Sequence, residues 1–283
     1  PSDPVTGVYL SFTGLRRVSP KSLVGECSAL GHVRTIGDVH AALADADARL
    51  RELGLFKSQR AEVTVETNGV LDIEWVVEER GPQFTAGGNV DKKGELTADI
   101  RAVRPAIFGG PLGATFSVSS TASQARDFTF RLSTPRLLGR RCTWSFDAAK
   151  VSSSESQASS YSESASHVLT RVTDESGRHS ASLEAAIRDL HLSTGGQRLP
   201  SLEVQQARLR SGKTSVAYSF ARVWADPSAP LAALGLGSGP FAKLRAQVEA
   251  ALPPGDVRFL RGEVQTGATC ALPRDLLFHA SGA

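Results

Sequence analysis

Side chains alternate between apolar and polar along most of the chain after residue 82, and this pattern constrains the fold more than any other feature. In "RDFTFRLST" (126–134), Phe128, Phe130 and Leu132 fall on one side of an extended chain, and charged or hydroxyl side chains fall on the other. The same pattern recurs in segments 142–148, 182–188 and 242–250. Because successive side chains of a strand point to opposite faces, this period of two predicts strands with one apolar and one polar face.

The length of the alternating segments favours a membrane barrel. Several reach the roughly 9–11 residues that a membrane-spanning strand needs, whereas strands of soluble proteins average about 5–6. A soluble antiparallel sheet can also have one polar and one apolar face, but long, evenly spaced strands with charged inner faces are typical of a transmembrane antiparallel β-barrel. We predict about eleven strands, near 83–91, 95–105, 112–121, 126–135, 141–151, 158–172, 179–190, 212–225, 241–251, 257–270 and 274–283.

The first 81 residues have a different pattern, with helical as well as strand signals. "VYLSF" (8–12) alternates and predicts a short strand, and Pro20–Leu30 predicts a short helix. Between Ile36 and Leu53 apolar residues recur at three-and-four spacing, which predicts an amphipathic helix with Thr35 as its N-cap. Gly54 suits the left-handed position just after such a helix.

Two alternating segments follow this helix and predict a hairpin. "AEVTVE" (61–66) and "LDIEWVVEE" (71–79) are joined by Thr67-Asn68-Gly69, and Asn-Gly between alternating segments is a strong hairpin signal. The element order is therefore β-α-α-β-β. The residues that we expect to fix this small domain are Leu50, Leu53, Gly54, Leu55, Phe56, Asn68 and Gly69.

The strings "ARLRELGLF", "AEVTVE" and "LDIEWVVEERG" together resemble a POTRA (polypeptide-transport-associated) domain. In that family a helix of this kind ends on Leu-Gly-Leu-Phe or a close variant, and the last strand ends on a Val-Glu-Glu-like stretch that enters a barrel. The resemblance implies a small α+β POTRA-like domain at residues 1–81 and a transmembrane β-barrel at 82–283. An unrelated small α+β domain is the alternative.

A POTRA-like domain directly before a barrel resembles the outer-membrane β-barrel assembly and translocation superfamily, and most of all the core barrel of the mitochondrial sorting and assembly machinery. Three stretches carry the narrower resemblance: "HSASLEAAIRDLHL", "LRSGKTSVAYSF" and "GDVRFLRGEVQTGATCALPRDLLF". The family barrel has sixteen strands and a Val/Ile-Arg-Gly-Phe/Tyr motif after the eleventh. We interpret "FLRGE" (259–263) as a strand rather than that motif, and we expect a barrel truncated on its C-terminal side.

The resemblance implies a non-enzymatic role in membrane protein assembly. The chain would be the core of a machine in the mitochondrial outer membrane that inserts and assembles β-barrel precursor polypeptides by strand pairing at a lateral seam. Its POTRA-like domain would lie in the intermembrane space, and its partners would be the precursors, accessory subunits of a membrane complex and the lipid bilayer. No cofactor is implied.

The first barrel strand would form one side of the seam. The residues assigned to it are Gln83, Phe84, Thr85, Ala86, Gly87, Gly88, Asn89 and Val90. Paired glycines weaken a strand and would ease its opening, whereas the alternative is that Gly87-Gly88 forms only a bulge.

Other function classes find little support in the residues. The 32 basic and 29 acidic residues give a net charge of +3 and no basic footprint for nucleic acid. Cys27, Cys142 and Cys270 lack the spacing of a zinc site and predict reduced thiols. "SGKTS" (211–215) has Ala207 where a phosphate loop needs glycine. No catalytic or metal-ligating set is predicted, so we do not expect an enzyme.

Two alternatives remain open. One is a polypeptide translocation pore of the same superfamily. The other is a soluble β-rich binding or scaffold protein with an α+β cap.

Overall fold

A computed structural model describes the following residues of the chain: 5–65, 69–90, 96–121, 126–137, 140–154, 161–192, 209–225, 241–272 and 276–282. The chain divides into two compact units, residues 1–141 and 142–283. The first unit begins with a small helix-containing region and continues with long strands, whereas the second consists of long strands in its described part. Within the described ranges, no helix combines the length and the apolar character needed to cross a bilayer.

The helix-containing region has the predicted β-α-α-β-β order. Its elements are β1 (Gly7–Thr13), α1 (Pro20–Val24), a 3₁₀ helix (Gly25–His32), α2 (Ile36–Glu52), β2 (Phe56–Val65) and β3 (Val70–Glu79). β3 is the central strand of a three-stranded sheet, parallel to β1 and antiparallel to β2. The β2–β3 hairpin is therefore confirmed; Gly69 has a φ of +80°, while Thr67 and Asn68 lie outside the described residues.

One stripe of α2 and one face of β3 supply much of the core of this region. The buried side chains include Val39, Ala46, Leu50, Leu53, Leu55, Phe56, Leu71, Ile73 and Trp75. Three-and-four spacing brings the helical members to one stripe, and alternation brings the β3 members to one face. Full burial of a side chain of this kind contributes about 1.5–3 kcal/mol, so these residues dominate the stability of the region.

Both ends of α2 are fixed by local interactions. The backbone N–H and the hydroxyl of Thr35 donate to the Asp38 carboxylate at 3.2 and 2.8 Å, and these bonds lower the pKa of Asp38. After the helix, Gly54 has a φ of +67°. A Cβ at Gly54 would meet nothing within 4 Å, so backbone conformation rather than space requires glycine here.

Eleven strands follow in the described residues, in agreement with the sequence prediction. They are β4 (Gln83–Val90), β5 (Leu96–Ile107), β6 (Leu112–Thr121) and β7 (Arg126–Thr134) in the first unit, and β8 (Thr143–Ser154), β9 (Tyr161–Thr173), β10 (His179–Leu192), β11 (Arg210–Ala225), β12 (Phe241–Ala251), β13 (Phe259–Leu272) and β14 (Leu276–Gly282) in the second. Within each unit, each of these eleven strands pairs antiparallel with the next one along the chain.

The pairing register carries the alternation from strand to strand. Two cross-strand rows are Phe84, Ala102, Phe116 and Phe130 in the first unit and Leu183, Val216, Ala250 and Leu260 in the second. Phe84 and Leu260 are 79% and 78% exposed. Large apolar side chains exposed on the same face of successive long strands are typical of a lipid-facing surface.

Three ambiguous sequence segments are strands or strand pairs. "FLRGE" lies in β13 and "SGKTS" lies in β11, so neither forms a loop motif. In a serine-rich segment, residues 152–154 pair with residues 162–164 in the antiparallel β8–β9 ladder. Residues 155–160, between these two strands, lie outside the described residues.

Replacing Gly54 tests the left-handed end of α2. We expect Gly54→Val to destabilise the helix-containing region by about 1–2 kcal/mol, because a β-branched residue resists a positive φ. Gly54→Asn should cost less, since asparagine tolerates this conformation. Hydrogen exchange of the β3 amides measures the difference, and equal protection in the two variants would contradict the assignment.

Candidate functional site

β4 (Gln83–Val90), the predicted seam strand, lies at an edge of its sheet. It pairs with β5 along its whole length, from Gln83 opposite Val103 to Val90 opposite Leu96. No strand of the described chain lies on its other side. All eight of its residues are exposed. The outward N–H and C=O groups of β4 are thus available to pair with another strand.

The edge strand continues the two-faced pattern of the sheet. Phe84, Ala86, Gly88 and Val90 alternate with Gln83, Thr85, Gly87 and Asn89. Phe84 lies opposite Ala102, and Ala86 lies opposite Ile100, so the apolar face of β5 extends onto β4. An added strand with the same alternation would extend both faces without a change of register.

Gly87 and Gly88 continue the ladder without forming a bulge. Gly87 lies opposite Asp99 and Gly88 lies opposite Ala98, with no shift of register between them. The bulge alternative from the sequence is therefore wrong. A Cβ on Gly87 would lie 2.9 Å from Oδ1 of Asp99, so glycine makes room for this carboxylate. The two glycines also leave the centre of the edge strand without side-chain contacts of their own.

A charged cluster occupies the polar face of the second unit. Lys213 Nζ on β11 lies 3.2 Å from Glu184 Oε2 on β10 and 2.6 Å from Glu249 Oε1 on β12. The same ammonium lies 5.5 Å from the ring centroid of Phe259 on β13. Ser215, two residues along β11, is 2% exposed. This cluster links three adjacent strands and keeps their common face polar.

Arg136, which follows β7, binds two carboxylates of the helix-containing region. Its Nε and a terminal nitrogen donate to the two oxygens of Glu26 at 2.7 and 3.0 Å, and the terminal nitrogen also donates to Glu52 at 3.1 Å. The side chains of Arg136 and Glu26 are 10% and 12% exposed. Hydrogen bonds to Glu26 raise the pKa of Arg136. The pair is therefore a bidentate, mostly dehydrated ion pair.

A second contact joins the same two parts of the first unit. The carbonyl oxygen of Gly109, in the turn between β5 and β6, accepts from the backbone N–H of Ser19 at 2.9 Å and from the Ser22 hydroxyl at 3.1 Å. Gly109 has a φ of +75°. The helix-containing region is thus attached at the β5–β6 turn and just after β7.

Glu79, the last residue of β3, organises the segment that follows β1. Its Oε1 accepts from the backbone N–H groups of Arg16, Arg17 and Val18 at 2.8, 2.9 and 2.9 Å. Partial burial alone would raise the pKa of Glu79, but the three donors outweigh burial and lower it. The Glu79 carboxylate thus accepts the backbone N–H groups of residues 16–18, which are not paired in a strand.

The sequence predicted only some of these structural features. It placed β4 and its glycines, but it gave no signal for the partners of Arg136, Glu26 and Glu79, which lie more than sixty residues away. Among the described residues, no group of three or more His, Cys, Asp or Glu side chains is arranged to hold a metal ion. Of the three cysteines, Cys27 is buried and unpaired, and burial raises its pKa to about 11.

Removing Arg136 tests the ion pair. We expect Arg136→Leu to cost about 3 kcal/mol, because it leaves the Glu26 carboxylate dehydrated and unpaired. Arg136→Lys should cost less, since it keeps the charge but loses the bidentate geometry. Hydrogen exchange across the 3₁₀ helix measures the effect, and Arg140→Leu is the exposed-arginine control. Glu26→Gln combined with Arg136→Leu should recover part of the loss; no recovery would contradict a coupled pair.

The lowered pKa of Glu79 predicts that the folded protein loses stability in acid. Its pKa is lower in the folded protein than in the unfolded chain, so its contribution is complete above the unfolded pKa and disappears as the pH falls through the folded pKa. Glu79→Gln should therefore lower the melting temperature at neutral pH and have little effect in acid. Glu62→Gln, an exposed carboxylate on β2, serves as the control. A Glu79→Gln effect that does not depend on pH would contradict this role.

Comparison with known proteins gives likenesses in structure but none in sequence. No protein-family model matches the chain, and no curated protein matches it. The crystal structure of BamA from Haemophilus ducreyi lacking POTRA domains 1–3 superposes with a TM-score of 0.63 at 13% identity, covering 95% of this chain and 52% of that one. CdiB from Acinetobacter baumannii superposes with a TM-score of 0.51 at 11% identity, covering 96% and 50%.

This chain therefore spans about half the length of each of these two structures. At such low identity the likeness concerns the fold. The chain shares its fold with these two solved structures over nearly its whole length.

Proposed function

We propose that this chain belongs to an outer-membrane machine that inserts and assembles β-barrel precursor polypeptides, and that the precursor pairs with the outer edge of β4. The observation that carries this proposal is the edge itself. β4 is paired on one side only among the described strands, and all of its residues are exposed. The BamA-like fold supports the same class of activity.

Strand addition needs no cofactor and no chemical step. In an antiparallel ladder, the N–H and C=O groups of one residue both point to one neighbouring strand, and those of the next residue point to the opposite side. The eight residues of β4 therefore direct about four N–H and four C=O groups to its open edge. Each bond contributes about 0.5–1.5 kcal/mol net in water, and leaving such a group unpaired in lipid costs several kcal/mol. The drive to pair is thus greatest where a precursor strand meets β4 inside the bilayer.

The glycines suit this role because they keep the pairing reversible. A precursor must pair with β4 and later leave it, so a strand held by many side-chain contacts would release its product slowly. Gly87 and Gly88 remove those contacts in the middle of the edge strand while the ladder to β5 stays in register.

Residues 1–81 act in this proposal as a POTRA domain on the intermembrane-space side, and residues 82–283 act as part of the barrel. The three-stranded sheet has β1 and β2 at its edges, and either edge can receive an extended segment of a precursor or an accessory subunit. The sequence resemblance supports the mitochondrial outer membrane and its sorting and assembly machinery as the setting.

Cysteine crosslinking along β4 tests the proposal. Single cysteines at Gln83, Thr85, Ala86 and Asn89 are combined with single cysteines in the last strand of an arrested β-barrel precursor. We expect disulfides at successive positions that follow one antiparallel register, because strand pairing fixes the partner of each residue.

Matched positions on the polar face, Ser182 and Ser219, serve as controls. Crosslinks confined to those two positions would indicate passage through a pore and contradict insertion at β4. Extraction of the chain from membranes at alkaline pH would instead indicate a soluble scaffold.

A further inference from the structure

The turn between β5 and β6 exposes an aromatic side chain in a strained conformation. Phe108 is 96% exposed and has a φ of +54°. The Gly110 N–H donates to the Ile107 carbonyl at 3.2 Å, which closes a two-residue turn in which Phe108 and Gly109 both have positive φ. Asparagine or glycine suits the first position of such a turn, whereas phenylalanine is strained there.

Hydrogen bonds hold the turn that exposes Phe108 in place. The Gly109 carbonyl accepts from Ser19 and Ser22, so the turn is held on the helix-containing region. A strained residue persists only when its surroundings hold it in place, and such residues concentrate at functional positions. The hydrogen bonds to Gly109 therefore keep the Phe108 ring exposed at the protein surface.

Four basic residues lie in the segments that contact this turn or lead into it. Arg16 and Arg17 lie in the segment that ends at Ser19, and a Cβ on Gly109 would lie 3.6 Å from the Arg17 carbonyl oxygen. Lys21 lies in the first turn of α1, and Arg104 precedes Phe108 by four residues. All four side chains are exposed. In the described structure, Arg16, Lys21 and Arg104 form no ion pair, and the nearby Glu79 is occupied by backbone donors.

Arg104 also marks the end of an apolar surface. It lies on the same face of β5 as Ile100 and Ala102, which belong to the exposed apolar rows of the first unit. An arginine in this position can lay its stem along the apolar surface and extend its guanidinium to the headgroups. The ring of Phe108 lies just beyond this boundary.

We propose that Phe108, Arg16, Arg17, Lys21 and Arg104 form an interfacial anchor that binds anionic lipid headgroups. Aromatic side chains form girdles at the membrane interfaces of transmembrane barrels, and basic side chains near an anionic surface are attracted to it. Arg16, Arg17, Lys21 and Arg104 outnumber the Glu79 carboxylate, so the net positive charge beside the exposed ring complements a negatively charged lipid surface. The anchor requires only that the strands span a bilayer, so it stands apart from precursor insertion.

Fluorescence quenching of the reconstituted full chain tests this anchor. Phe108→Cys is labelled with bimane, an apolar ring system, in a background that carries Cys142→Ser and Cys270→Ser; Cys27 is buried. The protein is placed in vesicles of phosphatidylcholine alone or mixed with phosphatidylserine. We expect quenching by a headgroup-labelled nitroxide lipid that increases with phosphatidylserine, together with protection from aqueous iodide.

Thr64→Cys, an exposed position on β2, is the matched control and should be quenched by iodide in both kinds of vesicle. Arg16→Gln combined with Lys21→Gln should abolish the increase with phosphatidylserine. Iodide quenching at position 108 that is equal in both vesicles would overturn the proposal. Protection that appears only when a second protein is added would also overturn it, since it would identify a protein partner.

Phe108→Asn separates the anchor from a structural role. Asparagine suits the turn, so this variant should fold at least as well as the parent. Hydrogen exchange of residues 16–19 should be slowed by phosphatidylserine in the parent and unaffected by it in Phe108→Asn. Equal slowing in both proteins would contradict the anchor even where precursor insertion is normal.

Discussion

The backbone hydrogen bonds of β4 are the constraint on which this structure depends. A strand inside a sheet forms backbone hydrogen bonds with a neighbouring strand on each side. β4 has a described neighbour on one side only. In water an open edge invites aggregation, and in lipid it leaves polar groups unpaired. An edge of this kind can accept an added strand. Temporary pairing with a precursor strand is a use that also fits the glycines at the centre of β4.

The contacts within the first unit complement this open edge. The Arg136–Glu26 ion pair and the hydrogen bonds to Gly109 attach the helix-containing region to the polypeptide that follows β5 and β7. Dehydrated, bidentate pairs are costly to break, so the region is held in a defined place beside the strands. The Phe108 turn lies at this junction. We infer that a single set of interactions positions the region and presents its lipid-binding side chains.

The sequence predicted the parts of the fold that repeat and failed on contacts between distant residues. Alternation placed all eleven described strands within three residues of their observed ends, and three-and-four spacing with Gly54 placed α2. These signals are local, because the position of a residue within its own segment decides on which face its side chain lies. Arg136 and Glu26 are 110 residues apart, and neither stands in a pattern that marks it. Likewise, the positive φ of Phe108 is imposed by contacts of Gly109, which no periodicity encodes.

Hydrogen exchange of the β4 amides during precursor binding tests the central claim most directly. In the reconstituted protein, the amides directed away from β5 should exchange quickly, and addition of an arrested β-barrel precursor should slow them. Amides of β9 to β11, which have strands on both sides, should not change. Slower exchange at alternate residues of β4 alone is the result that this account predicts. An unchanged rate at β4 in the presence of bound precursor would contradict it.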